Sequence, residues 1–170
     1  MSNYLFRQAK IREANAIWNI LQDAVARRKA DGSAQWQDGY PNLQVVEKDI
    51  DRGAGYVLVD GDFLVGYCAI LIDDEPAYQN IQGTWLTDGS FVVFHRVAVS
   101  KDYIGMGMAQ QLLLHIETFA KEHAIQSLRA DTNFDNTAML RIFEKMNYQY
   151  CGEVVFRGSS RKAFEKVLAV

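Results

Sequence analysis

The stretch Asp102-Tyr-Ile-Gly-Met-Gly-Met-Ala109 decides the fold of this chain. An apolar run, Phe91 to Val99, precedes it, and apolar residues at helical spacing follow it. This order predicts a strand, a glycine turn and a helix. The start of a helix exposes unpaired backbone N–H groups and favours negative charge. Gly105 and Gly107 lack the side chains that would keep a phosphate away from those amides, so the stretch predicts a site for a phosphorylated ligand.

The length and composition indicate one folded domain, which we place at residues 1–170. Hydrophobic residues make up 49% of the 170-residue chain and charged residues 23%, which is typical of a globular domain. The net charge is −3, so electrostatics give no reason to expect nucleic acid or an anionic membrane as a partner.

The cysteines and the chain start indicate the cellular setting. Cys68 and Cys151 have neither the spacing of a metal site nor the density of a disulfide scaffold, so no metal site is predicted. The N-terminus lacks the order of a signal peptide, and no apolar stretch is long enough to span a bilayer. We therefore expect a cytoplasmic protein without a membrane partner.

Periodicity and turn residues predict the other elements. The predicted strands are 4–9, 55–60, 63–72, 91–99, 126–132, 148–156 and 162–167, and the predicted helices are 11–29, one beginning after Pro41, one after the glycine turn, and 136–146. Residues 30–41 and 73–90 are predicted loops, a Gly-Ser-Ser turn joins the last two strands, and Asn147 is expected in a left-handed conformation. Strands and helices do not alternate, which argues against a doubly wound parallel sheet.

Two motifs resemble those of the GNAT acetyltransferase superfamily. Val97-Ala-Val-Ser-Lys-Asp-Tyr-Ile-Gly-Met-Gly-Met-Ala109 resembles the family's acetyl-CoA-binding motif. Asn136, Phe143, Asn147 and Tyr148 match the spacing of its second signature. The resemblance covers essentially the whole chain. It implies a mixed α/β (α+β) domain, with a mostly antiparallel sheet of six to seven strands and about four flanking helices.

The resemblance also implies a cofactor, a reaction and a set of contacts. The cofactor would be acetyl-CoA, and its acetyl group would pass directly to a primary amine of a small molecule or peptide. The residues expected to contact the cofactor are Val97, Ala98, Val99, Ile104, Gly105, Met106, Gly107, Met108, Ala109, Asn136 and Phe143. Asn136 is also suited to cap the helix that it precedes, and both roles can hold together, with cofactor contact the favoured one.

Three positions depart from the family pattern: Asp102, Phe143 and Asn147, the last of which stands where the family has a glycine. Asp102 stands where the family usually has Gln or Arg. An acid repels a diphosphate, so Asp102 is expected to point away from the ligand or to cap the helix. Phe143 stands where many members have a tyrosine that protonates the departing thiolate, and phenylalanine cannot donate a proton.

Five further side chains are candidates for catalysis or acceptor binding. His95 is the first candidate base, because strand alternation places it with Val97 and Val99 and imidazole titrates near neutrality. The alternative for His95 is a strand histidine with a backbone partner. Asp131 is the second candidate base, with a structural hydrogen bond as its alternative. The aromatic residues Trp36, Tyr40 and Trp85 either line an acceptor pocket or plug the end of the sheet.

Two other functions remain open at this point. Asp102 and Phe143 also fit a coenzyme A-binding sensor or partner-binding module without turnover. A longer acyl-CoA is a second alternative, which the pocket width beside Phe94, Met106 and Phe143 would decide. The sequence also leaves room for a homodimer.

Overall fold

The protein is a mixed α/β structure built on one sheet. The computed structural model describes residues 3–169. Within them the helices are α1 (Ala14–Ala30), α2 (Leu43–Asp51), α3 (Met108–Glu122) and α4 (Thr137–Lys145). The strands are β1 (Tyr4–Gln8), β2 (Gly55–Asp60), β3 (Phe63–Ile72), β4 (Gln82–Gly83), β5 (Phe91–Val99), β6 (Ser127–Thr132), β7 (Gln149–Phe156) and β8 (Ser159–Val167). Short 3-10 helices cover Ile11–Glu13, Pro76–Asn80 and Lys101–Tyr103.

The strands are hydrogen-bonded in the order β1-β2-β3-β5-β6-β8-β7-β4. The ladders β1–β2, β2–β3, β6–β8, β7–β8 and β4–β7 are antiparallel, and the β5–β6 ladder is parallel. The mixed, mostly antiparallel sheet is therefore confirmed. The position of β5 inside the order agrees with its nearly continuous apolar sequence.

The described residues divide into two compact units. The first unit contains residues 3–70 and 95–116, and the second contains residues 71–94 and 117–169. The chain passes between them within β3, β5 and α3.

The core of the first unit packs α1 and α2 against the strands. Its buried residues are Ala14, Ile17, Ile20, Leu21, Ala24, Trp36, Val46, Val57, Val59, Tyr67 and Ala98. Gly66 lets α3 approach closely, since a Cβ there would lie 2.9 Å from both the Ala98 carbonyl oxygen and Leu112 Cδ1. Leu112, Leu113 and Ile116 are fully buried along α3. This packing fixes where α3 begins, directly after the glycine turn.

In the second unit, the connection 73–90 is tied to the sheet by a buried carboxylate. The Glu165 side chain accepts hydrogen bonds from the Leu86 backbone N–H at 2.6 Å, the Thr87 hydroxyl at 2.5 Å and the Ser127 hydroxyl at 2.5 Å. Glu165 has 0% of its surface exposed, so these bonds replace lost hydration. They hold one end of the connection in place.

Two details differ from the sequence prediction. The sheet has eight strands rather than six to seven, because β4 lies inside the predicted loop 73–90 and pairs with β7. A two-residue strand carries no periodicity, so the sequence offers no signal for it. The last turn is at Arg157 and Gly158, and the serines predicted to lie in it already belong to β8.

No helix among residues 3–169 has the length and apolar character needed to cross a membrane.

The end of α4 confirms the conformation predicted for Asn147. Its φ is +65°. The Tyr148 N–H donates to the Phe143 carbonyl at 2.8 Å, and the Asn147 N–H donates to the Glu144 carbonyl at 3.1 Å. These two bonds form a Schellman motif, and the rings of Phe143 and Tyr148, 5.0 Å apart, supply its apolar contact.

We predict that Asn147→Ala lowers the free energy of unfolding by about 1 kcal/mol, because alanine tolerates the left-handed region less well than asparagine. Urea unfolding measures this change. Asn147→Gly is the matched control and should be neutral or stabilising, because glycine adopts this φ without strain. Equal destabilisation by both substitutions would contradict the conformational explanation.

Candidate functional site

The glycine turn joins β5 to α3 through two left-handed residues. Gly105 has φ +79° and Gly107 has φ +76°. Gly107 is the last residue before the helix, and its carbonyl accepts the first helical hydrogen bond, from the Gln111 N–H at 3.1 Å. Residues with a Cβ rarely adopt such φ values, which explains why glycine occupies both positions.

The segment before the turn is held in place by the first unit. Arg27 donates to the Val99 carbonyl at 2.9 Å. The Ser100 N–H donates to the Val65 carbonyl at 2.8 Å, and the Tyr103 hydroxyl donates to Asp60 at 3.2 Å. These bonds fix both ends of the 3-10 helix Lys101–Tyr103, so the turn starts from a defined position.

The turn itself leaves its amides open. Among residues 3–169, no backbone N–H from Gly105 to Gln110 donates a hydrogen bond of normal length and angle, although residues 104–107 form a turn. A Cβ placed at Gly105 or Gly107 would meet no atom within 4 Å. The side chains of Ile104 and Met106 are about half exposed. The amides that open α3 are therefore accessible, and the helix dipole adds to their attraction for an anion.

Asp102 is exposed within the 3-10 helix that precedes the turn. Among the described residues, no hydrogen bond joins its carboxylate to the first amides of α3, so Asp102 does not cap this helix. It lies at the surface, and its orientation away from a bound diphosphate remains a prediction.

The backbone of β5 changes along its length. Its parallel ladder with β6 runs from Phe91↔Ser127 to Val93↔Arg129. The rest of the strand, up to Val99, takes no part in that ladder. Val97, Ala98 and Val99, the predicted cofactor contacts, lie in this later part.

Arg96 interrupts the regular strand with a φ of +56°. A left-handed residue breaks the alternation of side chains between the two faces of a strand. Strand alternation therefore no longer supports the prediction that His95 shares a face with Val97 and Val99. His95 is half-buried immediately before this residue, and its catalytic role remains a prediction.

A buried ion pair holds the Arg96 side chain. Its Nε and Nη2 donate to the two carboxylate oxygens of Asp49 on α2, at 2.8 and 2.6 Å. Its Nη1 donates to the Tyr40 hydroxyl in the 31–42 loop. The Tyr67 hydroxyl and the Arg52 guanidinium also donate to Asp49, at 2.6 and 3.1 Å.

Burial of this cluster shifts its proton equilibria. The side chains of Arg96 and Asp49 are 6% and 1% exposed. Burial alone would lower the pKa of the Arg96 guanidinium, but Tyr40 and the Asp49 carboxylate outweigh it and raise that pKa. Burial and the same carboxylate raise the pKa of the Tyr67 phenol. The Arg96 guanidinium is therefore charged at neutral pH, and its three nitrogens all donate hydrogen bonds within the cluster.

Sequence reasoning missed this ion pair, although one signal for it was present. Asp49 lies three residues after Val46 and so shares the inward face of α2. A single acid on an apolar helix face indicates a buried partner, since unpaired buried carboxylates are costly. The partner on β5 could not be identified from spacing.

Asp131, on β6, is engaged in structural contacts in the second unit. Its carboxylate accepts a hydrogen bond from the Tyr78 hydroxyl at 2.7 Å and lies 3.7 Å from the Arg161 guanidinium. Its side chain is 3% exposed. The structural hydrogen bond considered as an alternative from the sequence is present.

Asn136 caps α4, as one of its two predicted roles requires. Its side-chain oxygen accepts a hydrogen bond from the Met139 N–H at 3.2 Å. Phe143 is 1% exposed and packs against Tyr148, Phe164 and Phe94, with ring centroids 5.0, 4.8 and 6.4 Å away. Phe143 is thus mainly a core residue, and little of its surface remains for the predicted cofactor contact.

The three loop aromatics lie in different surroundings. Trp36 is buried in the core of the first unit and borders a shallow groove along α1 that also includes Trp18 and Pro41. Tyr40 is half-buried beside Arg96. In the second unit, Trp85 donates to the Tyr78 carbonyl at 3.0 Å, and the Arg129 guanidinium lies 4.4 Å from its ring centroid. An acceptor role for these residues remains a prediction.

Comparison with known proteins identifies the family. A sequence model described as the acetyltransferase (GNAT) family matches residues 15–148. No protein of curated function matches the chain. A GNAT-family acetyltransferase from Streptococcus agalactiae 2603 is 34% identical, with a TM-score of 0.89, over 98% of this chain and 96% of that chain.

Two further solved structures share the fold. A GNAT-family acetyltransferase from Listeria monocytogenes 4b F2365 has a TM-score of 0.78 at 20% identity, over 99% of this chain and 98% of that chain. A protein from Salmonella typhimurium, solved with its cofactor acetyl-CoA, has a TM-score of 0.67 at 18% identity, over 99% of this chain and 96% of that chain. Since the family model spans most of the sequence and the streptococcal acetyltransferase matches it nearly end to end, this chain belongs to the GNAT acetyltransferase family and is an acyltransferase.

Proposed function

We propose that this acyltransferase moves the acetyl group of acetyl-CoA to a primary amine of a small molecule or peptide. The observation that carries the proposal is the open set of backbone amides from Gly105 to Gln110 at the start of α3. Membership of the family and the acetyl-CoA bound to the related Salmonella protein support the choice of donor.

The glycine turn fits the diphosphate of coenzyme A. In this proposal the amides between Gly105 and Ala109 hold the diphosphate, which needs donors and no bulky side chain nearby. The backbone of Val97, Ala98 and Val99 binds the pantetheine arm, and the cofactor contacts of Asn136 and Phe143 stay predictions. When bound, acetyl-CoA supplies a thioester carbonyl and a thiol leaving group whose pKa resembles that of cysteine, about 8.5.

The chain's own residues have two tasks in the transfer. An alkyl amine has a pKa of about 10.4, so it must lose a proton before it attacks. His95 accepts that proton in our proposal, directly or through water, and Asp131 is the second candidate. A backbone amide of the Val97–Val99 segment donates to the carbonyl oxygen, where negative charge develops.

The leaving thiolate needs no tyrosine in this scheme. Phe143 has no acidic group that could protonate the thiolate, and it is buried in an aromatic cluster. A thiolate is stable enough near neutral pH to depart unassisted and to take its proton from water. Trp36 and Tyr40, in the 31–42 loop of the first unit, are proposed to contact the acceptor, and the same role for Trp85 in the second unit stays a prediction.

We further propose that the two units make one acetyltransferase domain. The family match at residues 15–148 runs through both of them, which supports this assignment.

A thiol-release assay with acetyl-CoA and a panel of primary amines tests the proposed function. We expect release that depends on both substrates and yields the N-acetylated amine by mass spectrometry. Saturable coenzyme A binding without release over any amine would instead indicate a binding module. Faster release from a longer acyl-CoA would replace the proposed donor.

We predict that Gly107→Val weakens coenzyme A binding about tenfold to a hundredfold, because each lost hydrogen bond to a charged phosphate costs about 1.5–3 kcal/mol. Isothermal titration measures the affinity. Gly158→Val is the matched control, since Gly158 has a similar φ of +75° and equally open surroundings in the β7–β8 turn. Unchanged coenzyme A affinity in Gly107→Val, or equal weakening in both variants, would count against the site.

We predict that His95→Ala lowers kcat about a hundredfold and changes the pH dependence of kcat/KM, because a general base contributes about 10²–10⁴. His123→Ala serves as the control, since His123 is exposed and its ring stacks on Phe119 at the end of α3. A pH–rate profile of His95→Ala that matches the unaltered protein would transfer the base role to Asp131, to be checked with Asp131→Asn.

A further inference from the structure

The left-handed residue of β5 requires a cause. Arg96 has φ +56° in the middle of a strand, and it is not a glycine. Such backbone conformations persist only where the surrounding structure holds them, and they often occur where a site needs a particular geometry. The position of Arg96 directly before Val97 places it at the start of the segment whose amides serve the transfer in the proposed function.

The Arg96 side chain is fixed at every polar atom of its guanidinium group. Nε and Nη2 form a bidentate contact with Asp49, and Nη1 donates to Tyr40. Asp49 is itself held by the hydroxyl of Tyr67, at 2.6 Å. The Arg96 side chain is thus held by β5 at its Cα and by Asp49 and Tyr40 at its guanidinium. Rotation of the Arg96 backbone to an extended conformation would move the guanidinium out of this network.

Stability alone is a weak reason for such a pair. Desolvating two charges costs about as much as their attraction returns, so apolar residues of similar size often stabilise a core equally well. A planar guanidinium held by two parallel hydrogen bonds does supply geometric definition that apolar contacts lack. The Asp49–Arg96 pair is therefore suited to fixing the orientation of the Arg96 side chain and of the backbone that carries it.

We propose that the Asp49–Arg96 ion pair is a positioning device, which holds the left-handed turn of β5 and thereby aims the Val97–Val99 amides for acyl transfer. Through the Tyr40 hydroxyl the same guanidinium ties the 31–42 loop to β5, so the loop that carries Trp36 and Tyr40 is aligned with the amides. This role rests on the proposed function, and Arg96 and Asp49 act through the backbone rather than on the substrate.

Two double variants separate backbone geometry from loss of the ion pair. Asp49→Asn with Arg96→Ala and Asp49→Asn with Arg96→Gly both remove the pair and leave no buried charge. Only glycine at position 96 adopts a left-handed φ without strain. We expect kcat to fall about tenfold to a hundredfold in the alanine variant, the effect typical of misplaced reacting groups, and to recover largely in the glycine variant.

Coenzyme A binding supplies the second readout. The glycine turn at Gly105–Gly107 is unaltered in both variants, so the Kd for coenzyme A should stay within about twofold of the unaltered protein. Glu13→Gln is the control for loss of a bidentate ion pair. The two carboxylate oxygens of Glu13 accept hydrogen bonds from Nη1 and Nη2 of Arg7 at 3.0 and 2.9 Å, in the same unit. It should leave kcat unchanged.

Equal kcat in the alanine and glycine variants would overturn the proposal. Loss of cooperative unfolding in these variants would also overturn it, because the pair would then serve the stability of the whole fold. A crystal structure of Asp49→Asn gives a test independent of turnover. We expect Arg96 to leave the left-handed region there, and a φ that stays near +56° would also overturn the proposal. If the unaltered protein released no thiol with any amine, the proposed function would fail while this crystallographic result still decided the role of the pair.

Discussion

The open backbone amides at the start of α3 are the constraint on which the rest of this structure depends. They are open because Gly105 and Gly107 turn the chain through left-handed conformations without side chains. A helix start in the interior of a domain would leave such donors unsatisfied at a cost, whereas here they lie at the surface. The packing of α3 over Gly66 and the bonds that hold Val99 and Ser100 present them in one defined place.

Two features of β5, the strand that leads to these amides, oppose each other energetically. The strand is apolar enough to lie inside the sheet, and it also carries a left-handed arginine whose conformation costs about 1–3 kcal/mol. The buried contacts of Arg96 with Asp49 and Tyr40 oppose that cost. Within β5, the left-handed conformation thus lies directly before Val97–Val99, the segment that the proposed function assigns to the pantetheine arm.

Prediction from the sequence succeeded where the signal is local. The bounds of β2, β3 and β5 follow from apolar runs that end at a glycine turn or at polar residues, and the left-handed Asn147 follows from the position of a helix end. It failed where the signal is a distant partner. β4 exists only because β7 lies beside it, and the Asp49–Arg96 pair joins residues 47 positions apart.

The sequence by itself determined the glycine turn, the family resemblance and the order of the helices and of the strands other than β4. It could do so because turns, caps and periodic faces depend on neighbouring residues. Only the tertiary structure decided that Asn136 caps α4, that the Asp131 carboxylate accepts a hydrogen bond from Tyr78, and that Arg96 departs from strand geometry. These outcomes depend on which side chains meet across the fold. Burial then decides whether a polar group is satisfied by a neighbour or left to bind a ligand.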